Sequence, residues 1–569
     1  MYLQPIPEKK TGRILLTFAE SFRENGKVKH RTVERLGYLD EFTSLYEDPI
    51  AHLKAVAKQK TEEKANSHVL LSYTVDSREP LVSGTQNRKN IGYMPLSHLY
   101  HALELPRFFA NRQRNLKVQY SLNAMFSLLV YSRILSPASK KKTFEGKERF
   151  FERTDFSLDD VYRALTYFGH YADALKVFLH KQVQALYGRA TDLMFYDVTN
   201  YYFEIDEPDE LRRKGVSKEH RPNPIVQMGL LMDSQGLPVT YELFSGNTND
   251  CETLMPILQK VRQDYRIGRF IVVADRGLNT SNNTAMAMAK GDGYIYGQSI
   301  LKASEEMKTF CLKEEGYKVY GDEQNGFKIK SRIQPRVLQI TNAEGQKIAV
   351  EVDEKQIFFY SDKYAKRAQK MRQEALDKAA KLIASPSGYK SATQYGVAKY
   401  IGEVKYDKES GALVEPEQLL FLNEDKIRDE ERFDGYYAVV TSELDMDERQ
   451  VMDHYRGLWK IEESFRITKS ELEARPVYVS RKDHINAHFL SCFVALLILR
   501  LLELQTKHVF SAGQLIEAMQ HMDGTLLQDN YYIFDYYTPV VEQLGQSFNL
   551  DFKRKFLNKK EILQMRKLV

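Results

Sequence analysis

The chain has 569 residues, too many for one hydrophobic core, so several domains are expected. Its 43% apolar and 12% aromatic content excludes a disordered chain, and 82 Lys+Arg against 77 Asp+Glu leaves a net charge of +5 that selects no class of partner. Three dispersed cysteines, Cys251, Cys311 and Cys492, exclude a disulfide framework and a Cys-X-X-Cys metal knuckle, and fit a reducing compartment. Residues 1–13 are polar where a secretory signal would be apolar. The longest apolar run, 489–499, is about half of what a bilayer span requires and reads as a buried helix. The expectation is a soluble, cytoplasmic protein with no membrane partner.

Alternation on either side of Asn25-Gly26, a type I′ turn signal, predicts a hairpin from 14–23 and 27–36 within a small strand-bearing module with its linker at 1–68. Over 91–190 the apolar spacing turns helical, as in Leu122, Met125, Leu128, Leu129 and Ile134. This region carries a basic run, Lys140, Lys141, Lys142, Lys147, Arg149 and Arg153, interleaved with Phe144, Phe150 and Phe151. It reads either as a solvated face or as a surface for a nucleic-acid backbone. Over 191–300 strands are predicted at 192–203, 225–232, 237–244 and 270–274, with a helix at 252–264. That pattern makes a mixed sheet with helices packed on it, an α/β core. Residues 301–435 interrupt it with short strands, turn signals at Asn325-Gly326 and Glu344-Gly345, a basic helix at 363–382 and a Ser-Pro-Ser-Gly break at 385–388. The sheet resumes over 436–505 with a strand at 436–441 and a long helix at 447–473, and a helical tail fills 506–569.

Three carboxylates stand out. Asp197 lies in Tyr196-Asp197-Val198-Thr199 on an apolar strand, where a charge is costly unless it is paired or binds metal. Asp275, in Ala274-Asp275-Arg276-Gly277, directly follows a buried-type strand, and carboxyl ends of strands are where α/β sheets place ligands. On the long helix, about 100° per residue brings Tyr455, Trp459, Glu462, Arg466 and Lys469 within an arc of roughly 80°, with Glu463 turned away as a plain surface residue. Two Asp and one Glu form an all-oxygen set that suits Mg²⁺, with Mn²⁺ as an alternative. Two such ions about 4 Å apart can activate a water or a 3′-hydroxyl and stabilise the leaving oxygen of a phosphodiester. His484 and His488 have the spacing of a zinc pair, but Ile485 stands where a zincin needs its Glu, so they read as structural or DNA-facing.

With these motifs in order, the sequence resembles the DDE transposases of bacterial insertion sequences, in the IS-four-like superfamily. The stretch Gly236-Leu237-Pro238 … Gly246-Asn247-Thr248 between the two aspartates also looks like theirs. The family's helix signature is Tyr, two residues, Arg, three residues, Glu, six residues, Lys. It falls on Tyr455, Leu458, Glu462 and Lys469, so Leu458 departs from it. Arg456 lies about 160° around the helix from Leu458 and is a poor substitute, which leaves Arg466 as the replacement.

The resemblance implies a ribonuclease-H-like core interrupted by a β-rich insertion, with helical DNA-binding regions. It implies Asp197, Asp275 and Glu462 as catalytic metal ligands, and Tyr455, Arg466 and Lys469 at the transposon end. Transposon-end and target DNA are the implied partners, bound by a homodimer. Lys140, Lys141 and Lys142 are candidate phosphate contacts. The rival readings are a ribonuclease-H-like nuclease or resolvase that cuts without joining, and a silent DNA-binding relic.

Overall fold

The computed structural model describes residues 1–8, 12–24, 27–66, 78, 80, 82–205, 207–215, 222–320, 326–341, 345–384, 400–404, 419–527 and 530–567. Asn25, Gly26, Asn325, Glu344 and the break at 385–388 lie outside the described residues. The chain divides into two units, Met1–Thr85 and Gln86–Val569.

In the first unit, strands Tyr2–Pro7, Ile14–Glu24 and Lys27–Tyr38 form an antiparallel sheet in that order, and helix Pro49–Asn66 packs on it. Leu3, Leu16, Phe18, Leu53 and Ala57 are its buried core. The hairpin expected from 14–23 and 27–36 is the antiparallel pair Ile14–Glu24 and Lys27–Tyr38.

The second unit is built on a nine-stranded mixed sheet. From one edge its strands are Lys318–Tyr320, Phe327–Thr341, Lys347–Ser361, Tyr436–Thr441, Gly293–Gln298, Ile271–Ala274, Leu193–Tyr202, Ile225–Asp233 and Pro238–Ser245. Ile271–Ala274 runs parallel to both neighbours, and every other pair in the sheet is antiparallel. The 301–435 stretch therefore contributes three strands to the same sheet, continuous with the core through Tyr436–Thr441. Gly293–Gln298, which the periodicity reading passed over, is a full member.

In the core of the sheet both faces are covered, so Leu193–Tyr202, Ile225–Asp233, Ile271–Ala274 and Gly293–Gln298 are buried almost throughout, whereas Phe327–Thr341 and the first half of Lys347–Ser361 are mostly half-buried or exposed. Along Leu193–Tyr202 the side chains alternate: Met194, Tyr196 and Val198 enter the core under helix Asp250–Lys260, while Leu193, Phe195 and Tyr201 enter the larger core on the opposite face. Helices Met94–Ala102, Leu105–Gln113, Leu122–Leu135, Leu158–His170 and Ala172–Tyr187 contribute to that larger core. At its centre is Lys482–Gln505, a 24-residue helix that encloses the apolar run at 489–499. It is long and apolar enough to cross a membrane by length and composition alone, but 94% of its apolar window is buried inside the protein.

The C-terminal stretch differs from the expected helical tail. Alongside helices Ala512–His521, Pro539–Phe548 and Lys559–Lys567 it supplies strands Asp523–Leu526, Tyr531–Phe534 and Phe556–Asn558, and Arg88–Asn90 completes this four-stranded sheet. Strands this short carry too little local pattern to be read without their partners.

Candidate active site

The parallel register builds the site. Leu193 to Tyr196 pair in order with Ile271 to Ala274, so one further step brings Asp197 alongside Asp275 on adjacent strands, about 4.8 Å apart across the sheet. The side-chain alternation turns both aspartates to the face shared by Phe195 and Val273, against which helix Trp459–Ser470 packs. Asp275 ends its strand and is exposed, whereas Asp197 is the half-buried break in a strand otherwise buried around it. The Asp197 Oδ1 accepts the Val198 N–H at 2.7 Å.

Glu462 arrives on the third element. The helix expected over 447–473 is two helices, Glu448–Arg456 and Trp459–Ser470, with Asp447 capping the first through the N–H groups of Arg449 and Gln450. Between them the backbone tightens: the N–H groups of Leu458, Lys460 and Ile461 reach the carbonyls of Tyr455, Gly457 and Leu458 three residues back. Gly457 is required here, because a Cβ at that position would stand 2.4 Å from the Phe195 ring.

Asp197, Asp275 and Glu462 thereby line one cavity of about 340 Å³, with Tyr437, Tyr455, Leu458, Trp459, Arg456 and Tyr364 among its other walls. They share a cavity, but among the described residues no three His, Cys, Asp or Glu side chains are gathered closely enough to hold an ion. The donor set, all carboxylate oxygen, is that of a hard divalent cation. A larger cavity of about 690 Å³, walled by Phe108, Arg112, Asp173 and Arg266 among others, contains none of the predicted site residues.

Tyr455 is buried, and its hydroxyl donates to Asp275 Oδ1 at 3.2 Å while accepting from the Tyr437 hydroxyl. Burial, then Tyr437 and Asp275, push the Tyr455 hydroxyl far above its ordinary range, and burial lifts Tyr437 to about 12. Both phenols therefore stay protonated and hold Asp275 in place. The Tyr455 hydroxyl has room because residue 297 is glycine: a Cβ there would lie 2.5 Å from it. Trp459 is 56% exposed at the cavity.

Several expectations change. Arg466 and Lys469 are not among the residues lining the cavity. Arg466 pairs with Glu463 at 3.8 Å and Glu471 at 3.5 Å, and the Lys469 ammonium lies 5.7 Å from the Tyr201 ring centre. Arg456, set aside on the helical wheel, lines the same cavity as Leu458, with its guanidinium 5.2 Å from the Phe359 ring. It ends the first of the two helices, against the strand that carries Phe359. Glu463 is not a plain surface residue: it is held by the buried Arg500 at 3.1 Å. Tyr437 gave no sequence signal beyond its place in a buried strand.

Lys140 is not on the exposed basic run, although Lys141 and Lys142 are. Lys140 is buried, and its ammonium meets His488 Nδ1 at 3.4 Å, while His488 Nε2 bonds to the Ala474 carbonyl at 3.0 Å. His488 is thus a structural neutral imidazole, held far below its usual range by burial and by Lys140 and Arg133. His484 is buried too, next to Thr166.

Burial, reinforced by Arg133, lowers Lys140 to about 7 against an ordinary 10.5, with Cys492 opposing; Lys142, Glu473 and Arg475 join it around a separate cavity of about 470 Å³. Between pH 7 and 10.5 the unfolded chain carries a proton on this residue that the folded chain lacks. Stability should therefore rise with pH across that window, by at most about 1.4 kcal/mol per unit. Thermal unfolding in phosphate-free buffers checks this: Lys140→Met should flatten the rise, and an equal rise in wild type and variant would contradict it.

Comparison with known proteins completes the picture. Residues 3–69 match the IS1634 family transposase, N-terminal domain, and residues 207–498 match the Transposase DDE domain. The second match includes Asp275 and Glu462 and begins after Asp197. No curated protein matches in sequence. Among solved structures, a piggyBac transposase synaptic complex with hairpin DNA is similar at 7% identity over 84% of each chain, TM-score 0.37. A Mos1 mariner paired-end complex with Mn is similar at 12% identity over 41% of this chain and 72% of that one, TM-score 0.11. At those scores neither likeness carries weight. The DDE match alone spans more than half of the sequence, so the chain belongs to the DDE transposases of insertion sequences and is a DNA transposase, an enzyme that cuts and joins DNA.

Proposed function

We propose that Asp197, Asp275 and Glu462 are the residues through which this transposase cuts the ends of its element and joins them to target DNA. The observation that carries the reading is the register that sets Asp197, in the middle of its strand, beside Asp275 at the carboxyl end of the adjacent parallel strand, with Glu462 on the same cavity. We read the core as ribonuclease-H-like. Its support is a set of three antiparallel strands, Pro238–Ser245, Ile225–Asp233 and Leu193–Tyr202, continued by two parallel ones, with the aspartates on the neighbouring parallel pair.

The three carboxylates would hold two divalent ions, Mg²⁺ by preference and Mn²⁺ as a substitute. Bound there, the ions would supply activation of the attacking water or 3′-hydroxyl and neutralisation of the leaving oxygen. The protein's own part is positional. Tyr455, backed by Tyr437, fixes Asp275, and the exposed Trp459 ring offers a surface on which a nucleobase can stack. Arg466 and Lys469 lie about one and two turns beyond Glu462, so they would meet the transposon end outside the cavity rather than within it. In this reading a homodimer, one copy per end, acts in the bacterial cytoplasm.

The experiment is a combined cleavage and joining assay. The full chain, a duplex bearing the element's own end and a supercoiled target plasmid are incubated with Mg²⁺, with Mn²⁺ or with chelator. Cut ends joined to the plasmid are expected with either metal and not with chelator. Cleavage without joined product would favour the nuclease reading, and metal-independent cleavage would remove the three carboxylates from the chemistry.

A further inference from the structure

A third cavity, of about 470 Å³, lies between the start of helix Lys140–Glu145 and the chain that follows the Glu462 helix, and its walls are strongly cationic. Arg133, Lys140, Lys142 and Arg475 line it, with His488 and a single carboxylate residue, Glu473. Two of the cations are buried. Arg133, 5% exposed, spends Nη1 on the carbonyls of Leu472 and Glu473 and Nη2 on that of Ala138, which leaves its buried Nε with no hydrogen-bond partner. Lys140, also 5% exposed, faces a neutral histidine. Among the described residues neither of these, nor Lys142, pairs with a carboxylate within ion-pair distance.

A buried cation without a counter-charge, as Arg133 is, is costly, and the same surroundings hold Lys140 partly deprotonated near neutral pH; an anion in the cavity would pair with Arg133 and restore the Lys140 proton. At about 470 Å³ the cavity has room for a phosphate group of a longer strand, and fixed N–H donors around a cavity are what recognise one. Its position selects the source of that phosphate. Helix Trp459–Ser470 carries Glu462 on its first turn and leads directly into Glu473 and Arg475. The helix rises about 12 Å from Glu462 to its end, and a DNA strand advances about 3.4 Å per nucleotide.

We propose that this cavity binds one phosphodiester of the DNA backbone, a few nucleotides away from the bond that is cut, and so sets the register of the strand over the carboxylates. Arg133 and Lys140 form the fixed floor, and Lys142 and Arg475 close on the phosphate from the rim. The inference rests on the chain being a DNA transposase and not on which carboxylates do the chemistry.

The test measures binding of the full-length protein to a duplex bearing the element's end, with phosphates replaced one at a time by uncharged methylphosphonate. In the wild type, one replacement should weaken binding about tenfold, the scale of one charge-assisted hydrogen bond. Lys142→Ala should weaken binding of the unmodified duplex by a similar factor, reduce the salt slope by about one, and be indifferent to that same replacement. Lys140→Met should behave likewise, and because it alters a buried residue its melting curve is recorded beside it. The exposed Lys142 keeps the test decisive if Lys140→Met does not fold.

Additivity of Lys142→Ala with every methylphosphonate would overturn the proposal. So would stabilisation of the wild type by inorganic phosphate without any coupled position in the DNA, since the cavity would then take a free anion only. A wild-type protein that ignores duplex DNA would overturn the transposase reading along with it, whereas normal wild-type binding with no effect of Lys142→Ala removes the cavity alone.

Discussion

Asp197→Asn, Asp275→Asn and Glu462→Gln should each abolish cleavage and joining while leaving affinity for the element's end within about twofold. Each change keeps the shape of the side chain and removes the charge that a hard divalent cation requires. A loss of roughly 10³-fold or more is expected, about 4 kcal/mol of barrier. Glu463→Gln is the control: its side chain pairs with Arg500 and Arg466 and is not among those lining the cavity, so it should cost some stability and leave cleavage intact. Gel assays with the end duplex, run in parallel with binding, read both effects. Cleavage surviving Asp197→Asn would show that the strand register has pointed to the wrong residue. Equal loss of cleavage from Glu462→Gln and Glu463→Gln would show that the wrong face of the helix had been chosen.

Arg500→Met should destabilise the Gln86–Val569 unit by about 3–5 kcal/mol, the cost of breaking a buried charge pair from one side. Arg500 is 8% exposed on the central helix and ties the Glu462 helix to it. Its guanidinium donates to Glu463 at 3.1 Å, Glu503 at 2.8 Å, the Ser464 hydroxyl at 2.8 and 3.2 Å, and the Lys460 carbonyl at 3.3 Å. Removing it leaves Glu503, 5% exposed, as an uncompensated buried charge. Arg500→Lys should recover only part of the loss, because a single ammonium cannot serve all of these acceptors. Combining Arg500→Met with Glu503→Leu should recover more, since the orphaned charge goes with its partner. The midpoint of thermal unfolding measures all three variants, and an Arg500→Met protein as stable as wild type would show that the network does not hold the helix.

These two expectations draw on different kinds of information. Asp197, Asp275 and Glu462 were readable as candidates because each breaks a local rule: a carboxylate in an apolar strand, a carboxylate ending one, and a carboxylate on a face of cations and rings. Arg500 was not readable. It lies within an apolar helix, and only the helix packed across it supplies Glu463 and Ser464. The same holds for the run Lys140-Lys141-Lys142. Successive helical residues point about 100° apart, so one lysine can face inward, but which one is fixed by the position of His488, far along the chain.

The sequence by itself determined the strands at Leu193–Tyr202, Ile225–Asp233, Pro238–Ser245, Ile271–Ala274 and Tyr436–Thr441, the helical stretch before them and the buried Lys482–Gln505 helix. Their apolar period is set by local geometry, and even the four-residue Ile271–Ala274 is an unbroken apolar run. Tertiary structure alone decided the rest. Gly293–Gln298, broken by glycines and tyrosines, becomes a strand because Ile271–Ala274 and Tyr436–Thr441 offer it hydrogen-bonding edges. The helix expected through 447–473 tightens just after Gly457, where the Phe195 ring occupies the space of a side chain. Arg456, before that turn, lines the cavity, while Arg466, beyond it, pairs with Glu463 and Glu471. Composition and periodicity name which residues can do chemistry. Their meeting depends on parallel register and close packing between segments far apart in the chain, and no local pattern encodes either.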